Sequence, residues 1–420
     1  MIQPDRTQAP PFQLSTDYSL AEPETSTFPG GQSLYVFRNL PQNAIKLELT
    51  FKAGKWYESK SGISHFAAQL LRKGTRTKTS FEIADALDTL GAHLELAAGF
   101  DNLTLSLYVL RKNLFRALDI LLDILREPGF DEGELRQEKE IFIQNLRVSN
   151  EKTGVVASRE IRKVIFGPHH PYGNSTEESD VSSISTQDLH TFFNDHIRFN
   201  SGYLVGPVSD AELQRLLSTL SFVRASAKEP PEPPTTLGES VILTKAGSVQ
   251  ASIRLGKRCL PKRDDPAYYD SVMVNHLLGG FFGSRLMKNI REEKGLTYGI
   301  HSSLHHFHHG SFWVISAEVN QQNTQRALDE IRNEIRELQD VPVSQDELDV
   351  ARNYFIGSWQ SDNATLFAVA DKVRNIHDFR LPTDYYTRLL GHLQRITPED
   401  IQFAAKKYFT AEDLLEVRVG

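Results

Sequence analysis

Cysteine is nearly absent: the chain has 420 residues and one thiol, Cys259. A single thiol excludes an internal disulfide framework and any cysteine-based zinc cluster. An excess of positive charge is missing too. Lys and Arg total 47 against 54 Asp and Glu, for a formal net charge of -7, with an isoelectric point near 6.1. That balance argues against a nucleic-acid binder, which carries a basic face. It also argues against adsorption to anionic membranes. No run of ~18 apolar residues occurs, so no membrane-spanning helix is expected. The N-terminal MIQPDRTQAPPFQLSTDY has no basic start leading into an apolar run. No secretory signal is therefore read, and the cytoplasm is the default compartment. A chain trimmed of its leader would look the same, so a periplasmic setting stays open.

What is present suffices for a large core: 40% of residues are hydrophobic and 24% charged, ordinary values for a globular protein. Internal similarity organises the chain. Asn113-Leu-Phe-Arg-Ala-Leu-Asp119 recurs as Asn323-Thr-Gln-Arg-Ala-Leu-Asp329, an offset of 210. Glu134-Leu135 followed by Ile141-Phe142-Ile143 returns as Glu347-Leu348 and Tyr354-Phe355-Ile356, offset 213. Ile184-Ser-Thr-Gln-Asp-Leu189 returns as Ile396-Thr-Pro-Glu-Asp-Ile401, offset 212. Three matches in one order, at about half the chain length, imply two copies of one domain. The segment 226–240, SAKEPPEPPTTLGES, holds four prolines and is expected to be a stiff, extended linker. The expected organisation is an arm over 1–19, domain one over 20–225, the linker over 226–240, and domain two over 241–420.

Strand and helix periodicities alternate within each copy. Ile45, Leu47, Leu49 and Phe51 alternate with polar residues, as do Leu103, Leu105, Leu107 and Val109; both read as half-buried strands. Residues 311–319, SFWVISAEV, are strand-like. Leu114, Leu118, Leu121, Leu122 and Leu125 fall at helical spacing, as do Leu328, Ile331, Ile335 and Leu338. The pattern predicts an α+β fold: two homologous domains, each an antiparallel-rich sheet covered by helices on one side, joined by the Pro-rich linker as a clamshell.

The stretch GISHFAAQLLRKGT, residues 62–75, reads as a helix running to a glycine stop. With the repeat and the following GAHLELAAGFDNLTL, it resembles the pitrilysin/insulinase family of zinc peptidases. The mitochondrial processing peptidase and bacterial two-chain relatives are the nearest type, and the resemblance covers nearly the whole chain. The family signature is H-x-x-E-H. Two His at i and i+4 share a helix face and bind zinc, while the intervening Glu activates water. A Glu from a later helix completes the set. By that resemblance His65 keeps the first ligand position, Ala68 stands at the general base, Gln69 at the second His, and Asn145 at the distal Glu; Glu138 matches a further acidic position. Alanine takes no proton, and neutral amides are weak zinc ligands. No metal is therefore expected in this chain, and His65 reads as a helix histidine.

The second copy carries LGGFFGSRLMKNIREEKGLTY, residues 278–298. It resembles the family segment in which an Arg and a Tyr seven apart help bind substrate at the zinc site of the other half or of a partner chain. Arg291 and Tyr298 match those positions, and Gly279, Gly280 and Gly283 form the accompanying substrate-binding loop. Arg offers a rigid donor fork to a peptide carbonyl, and a Tyr hydroxyl can donate to a developing oxyanion. Without the Lys-Ser/Thr of a P-loop, the glycines are no phosphate cradle. Gly295 is a plausible helix C-cap.

The resemblance thus implies a companion subunit, inactive alone, of a bacterial-type heterodimeric zinc metalloendopeptidase. Its partner would be a homologous chain bearing H-x-x-E-H and the zinc, and its substrate an unfolded peptide. A second reading is a degenerate structural or peptide-holding homodimer. A third places a metal on the run His301 to His309, which holds five histidines; there His306 and His308 are expected to share one strand face and His305 the other. His169-His170-Pro171-Tyr172-Gly173 reads as a turn. The edge around Glu95–Gly99 could present backbone to an extended peptide.

Overall fold

The computed structural model describes residue 7 and residues 19–38, 43–221, 230–258 and 260–420. Cys259, nearly all of the expected arm and the start of the linker lie outside the described residues. The first half runs β1 (Glu24–Thr27), β2 (Ser33–Phe37), β3 (Ala44–Phe51), α1 (Ile63–Leu71), α2 (Ser80–Thr89), β4 (His93–Ala98), β5 (Leu103–Leu110), α3 (Leu114–Arg126), α4 (Glu132–Asn150), α5 (Thr153–Phe166), α6 (Glu178–Ser183), α7 (Thr186–His196), β6 (Phe199–Val205) and α8 (Asp210–Thr219). The second half runs β7 (Val241–Leu243), β8 (Gln250–Lys257), α9 (Pro266–Asn275), β9 (Thr297–Phe307), β10 (Gly310–Asn320), α10 (Thr324–Asp340), α11 (Gln345–Asp362), α12 (Leu366–Asp378), α13 (Tyr385–Arg395), α14 (Pro398–Tyr408) and β11 (Leu415–Val419). The sheet orders are β1-β2-β6-β3-β5-β4 and β7-β11-β8-β10-β9.

The repeated sequence pieces are helix starts. Asp131 accepts the Glu134 amide to open α4, and Ser344 accepts the Glu347 amide to open α11. Ser185 with Asp188, and Thr397 with Asp400, form capping boxes on α7 and α14. Each satisfies orphan amide donors of a first helical turn. Behind the caps, the apolar stripes of α3 and α10 are buried throughout.

The expected wet face of β3 is dry. Lys46, Glu48 and Thr50 are all buried, because α12 crosses over from the second half onto the first sheet. Val369, Ala370 and Val373 of α12 pack on Phe37 and Val205. The buried polar residues meet complementary charge there. Lys46 Nζ lies 3.0 Å from Glu48 and 2.9 Å from Asp371; Arg374 donates to Glu48; Ser106 Oγ adds a 3.2 Å hydrogen bond to the same carboxylate. Alternation of polar and apolar residues signals one solvated face only when nothing else covers it.

The second sheet receives α5 in return, the repeat counterpart of α12. Arg254 on β8 donates to Ser158 Oγ at 3.1 Å and to the Gly154 carbonyl at 3.1 Å, and pairs with Glu318 at 3.0 Å. Gly256 lets the helix approach: a Cβ there would stand 2.8 Å from the Trp313 carbonyl and 3.2 Å from Ile165. The Pro-rich segment is extended but not free. Gly238 donates to the Val164 carbonyl at 2.7 Å, and Arg258 donates to Thr235 at 2.7 Å.

A third tie is the β9–β10 hairpin tip, which docks into the first half. His308 N donates to Asp101 at 3.1 Å, His309 N to the Tyr172 hydroxyl at 3.2 Å, and that hydroxyl to Asp101 at 2.5 Å. The His309 ring stacks on Trp56 with centroids 4.0 Å apart. Burial and the Asp101 charge raise the Tyr172 hydroxyl well above its ordinary range, so it stays a donor.

Removing Glu48 would strand Lys46 and Arg374 inside the interface. Glu48→Ala is expected to lower unfolding free energy by about 3 kcal/mol, read from urea denaturation. A loss below ~1 kcal/mol, the range of exposed pairs, would show that the cluster is solvated.

Candidate functional site

Helix α1 carries the motif positions. Glu58 fixes its start by accepting the Gly62 and Ser64 amides at 3.0 and 3.1 Å. The helix ends at Leu71, before the expected Gly74 stop; Gly74 follows in a turn at φ 146°. His65 is half-buried, with its ring 4.9 Å from Phe142 of α4. Burial holds its imidazole below the ordinary histidine range, and the nearby Glu138 charge works against that fall. Ala68 is 1% exposed. Gln69 accepts a 2.8 Å hydrogen bond from Arg72. Asn145 is exposed on α4.

This donor set does not fit zinc. One imidazole, one methyl, one amide engaged by a neighbouring guanidinium and one exposed amide supply neither the charge nor the ligand number of a catalytic site. Among the described residues, no three His, Cys, Asp or Glu side chains gather as a metal-holding group.

The histidine run divides among separate tasks. His305 stacks on Phe312 at 4.6 Å, and His306 shares a 2.7 Å hydrogen bond with the Tyr268 hydroxyl. His308 does not share a strand face with His306, as the alternation suggested. The strand stops at Phe307, and His308 with His309 forms the docked turn. That turn bonds to Asp101 and Tyr172 of the first half. His169–Gly173 is a turn, with Gly173 and Asn174 amides bonding back to the His170 carbonyl at 2.9 and 2.8 Å.

The Arg/Tyr segment is shaped by loosely wound helix. After α9, residues His276–Gly280 form a π-type turn broken at Gly279, and Met287–Glu293 form a second π-type stretch. Such widened turns recur at functional sites. Gly279 needs its missing side chain, since a Cβ would lie 2.7 Å from Ser302. Gly295 ends the helix in the left-handed conformation, φ 61°, as its C-cap role requires. Arg291 lies on the second π stretch with its guanidinium 4.8 Å above the Phe282 ring. Tyr298 is the second residue of β9 and is 90% exposed. Sequence reasoning missed the aromatic surround: Phe281 packs against Tyr354 at 5.0 Å and stacks on His276 at 4.6 Å, and Phe282 and Tyr354 are exposed. The repeated Tyr354-Phe355-Ile356 was the only signal, and it reads equally as core. At the far edge of the first sheet, β4 pairs with β5 alone, so the strand containing Glu95 has one unpaired side.

Known proteins share this fold. The family description "Insulinase (Peptidase family M16)" matches residues 35–178, and "Peptidase M16 inactive domain" matches 183–355. The chain belongs to the M16 peptidase family. It is an inactive-type member that lacks the zinc motif. A curated relative, the "Non-peptidase homolog YmxG" of Helicobacter pylori, is 25% identical over 382 residues, 88% of this chain and 87% of that one. The "Uncharacterized zinc protease YmxG" of Bacillus subtilis is 24% identical over 301 residues, 71% of this chain and 73% of that one. A crystal structure of a peptidase M16 inactive domain from Pseudomonas fluorescens superposes with a TM-score of 0.85 at 23% identity, covering 95% of this chain and 98% of that one. Its likeness establishes the two-domain fold. Among the described residues, no helix is long and apolar enough to cross a membrane.

Two buried histidines set a pH response. Burial pushes His276 down to about 4 and His306 down to about 3. Between those values and ~6.5 the unfolded chain binds protons that the native state refuses, so stability falls as pH drops through that window. For His276 the full loss is about 3 kcal/mol at 1.36 kcal/mol per pH unit. Urea midpoints measured from pH 7 to 4 should fall less steeply in His276→Leu than in the wild type. Equal slopes would refute the burial argument.

Proposed function

We propose that this chain is the non-catalytic companion of a zinc-bearing homologue: it holds no zinc itself, helps enclose an unfolded peptide, and presents Arg291 and Tyr298 to the partner's site. The observation that carries the reading is an asymmetry between the halves. Ala68 fills the general-base position with a buried methyl, whereas Tyr298 stands in solvent beside the segment holding Arg291. An exposed hydroxyl, with a half-buried guanidinium resting on an exposed ring beside it, can meet a second chain. In that complex Arg291 would grip a peptide carbonyl, and Tyr298 would donate to the oxyanion formed by attack of water on the scissile carbonyl. The loop of Gly279, Gly280 and Gly283 would let peptide backbone approach closely. The unpaired edge of β4 offers main-chain donors and acceptors to an extended segment with little sequence preference.

The test uses the chain together with a homologous H-x-x-E-H chain from the same source. Peptide cleavage should require both chains, and it should cease with a chelator. Tyr298→Phe is expected to lower the complex's kcat about 100-fold, the scale of one lost oxyanion donor. Arg291→Ala should act mainly on KM. Unchanged rates in both variants would remove the assigned roles. Self-association with no zinc-bearing partner would favour the homodimeric, purely structural reading. Chelator-sensitive cleavage by this chain alone would overturn both.

A further inference from the structure

Helix α10 carries two acidic residues four apart, Glu330 and Glu334, a spacing that puts both on one helix face. That face meets the segment holding Arg291. Asn289 Nδ2 donates to both carboxylates, to Glu330 Oε2 at 3.3 Å and to Glu334 Oε1. The amide oxygen of Asn289 is buried without a partner, so the group serves there as a double donor. The Lys294 ammonium pairs with the same Glu330 Oε2. One carboxylate oxygen therefore ties residue 289 to residue 294.

Five residues separate those two, the span of one π-type turn, and the winding changes at this place. Lys288 N donates to the Ser284 carbonyl at 2.9 Å, an ordinary α-helical bond. Lys294 N passes over the Ile290 carbonyl, its α-helical partner, and donates to the Asn289 carbonyl at 3.0 Å. The Ile290 carbonyl accepts Leu296 N at 2.9 Å instead. The bridge through Glu330 thus joins the same two residues as the widened backbone bond. Its side chain is 18% exposed, and hydrogen bonds from Lys294 and Asn289 hold its carboxyl below the ordinary range against the opposing pull of burial. An unrelated contact between two helices has no reason to match the length of a π-type turn.

Arg291 stands inside the bridged turn, with its guanidinium over the Phe282 ring. Rewinding the turn as α-helix would rotate one side against the other by about 100°, one residue's share of a 3.6-residue turn, and would carry Arg291 off that ring. We propose that Glu330 is a positioning residue: by bridging Asn289 and Lys294 it keeps this turn widened and sets the direction of Arg291. Its effect on cleavage rests on the companion-subunit reading, whereas the bridge itself does not.

Two readouts test this. In the purified full chain, hydrogen exchange across residues 287–296 is followed by mass spectrometry. Glu330→Ala is expected to speed that exchange about tenfold by opening the turn locally, while residues 114–126 of α3 exchange as in the wild type. Glu330→Gln keeps an acceptor for both donors and should stay close to the wild type. In the complex with a zinc-bearing homologue, Glu330→Ala should raise KM about as much as Arg291→Ala does and leave kcat unchanged. The double variant Glu330→Ala/Arg291→Ala should be no worse than Arg291→Ala alone, since residues acting through one group are not additive. Unchanged exchange in Glu330→Ala, or equal acceleration in Glu330→Gln, overturns the bridge. Additive losses in the double variant overturn its action through Arg291. Cleavage indifferent to Arg291→Ala sinks the companion reading instead, and the exchange measurement still decides the bridge.

Discussion

Reciprocal burial of two helices is the constraint on which the molecule depends. Each sheet hides its second face under a helix that the other half contributes, α12 on the first and α5 on the second. Neither half could expose that face without leaving charge uncovered. Glu48 is 2% and Lys46 6% exposed, and both find opposite charge on α12. The matching position on the second sheet is Arg254, bound to backbone and hydroxyl oxygens of α5. The charges at equivalent places therefore differ in sign.

That constraint explains what was legible in the sequence and what was not. The duplication was legible because helix starts need particular side chains: Ser185 and Thr397 cap amide donors at the same place in each copy, and Glu134 and Glu347 stand where their amides donate to the caps Asp131 and Ser344. The helix stripes of α3 and α10 were legible by period alone. The dry face of β3 was not. Lys46, Glu48 and Thr50 alternate with aliphatics as a wet strand would, and their cover comes from a helix more than 300 residues away. The histidine run failed similarly. His305 and His306 point to opposite faces as alternation requires, but His308 belongs to a turn whose place is fixed by Asp101 and Tyr172 of the other half. Local patterns report local geometry; partners distant in sequence leave no local trace.

The candidate site was legible differently. Ala68 and Gln69 departed visibly from a motif whose chemistry is strict. Phe282 and Tyr354 carried no motif, and their exposure around the glycine loop appeared only in three dimensions.

The altered motif also has a folding consequence. A set of two imidazoles and two carboxylates gathered on α1 and α4 would place like charges close together in a partly dry site, an arrangement stable mainly when a cation neutralises it. Here the methyl of Ala68 packs into the core with nothing to neutralise, Gln69 turns to Arg72 at the helix end, and Asn145 stays in solvent. His65 keeps its ring against Phe142, where a neutral imidazole serves as aromatic surface. The helix pair is joined by the His65 and Phe66 rings against Phe142. On the companion-subunit proposal above, shape is what that side of the molecule contributes. Chemistry, on the same proposal, is left to the opposite half, where Tyr298 is exposed and Arg291 lies half-buried over Phe282.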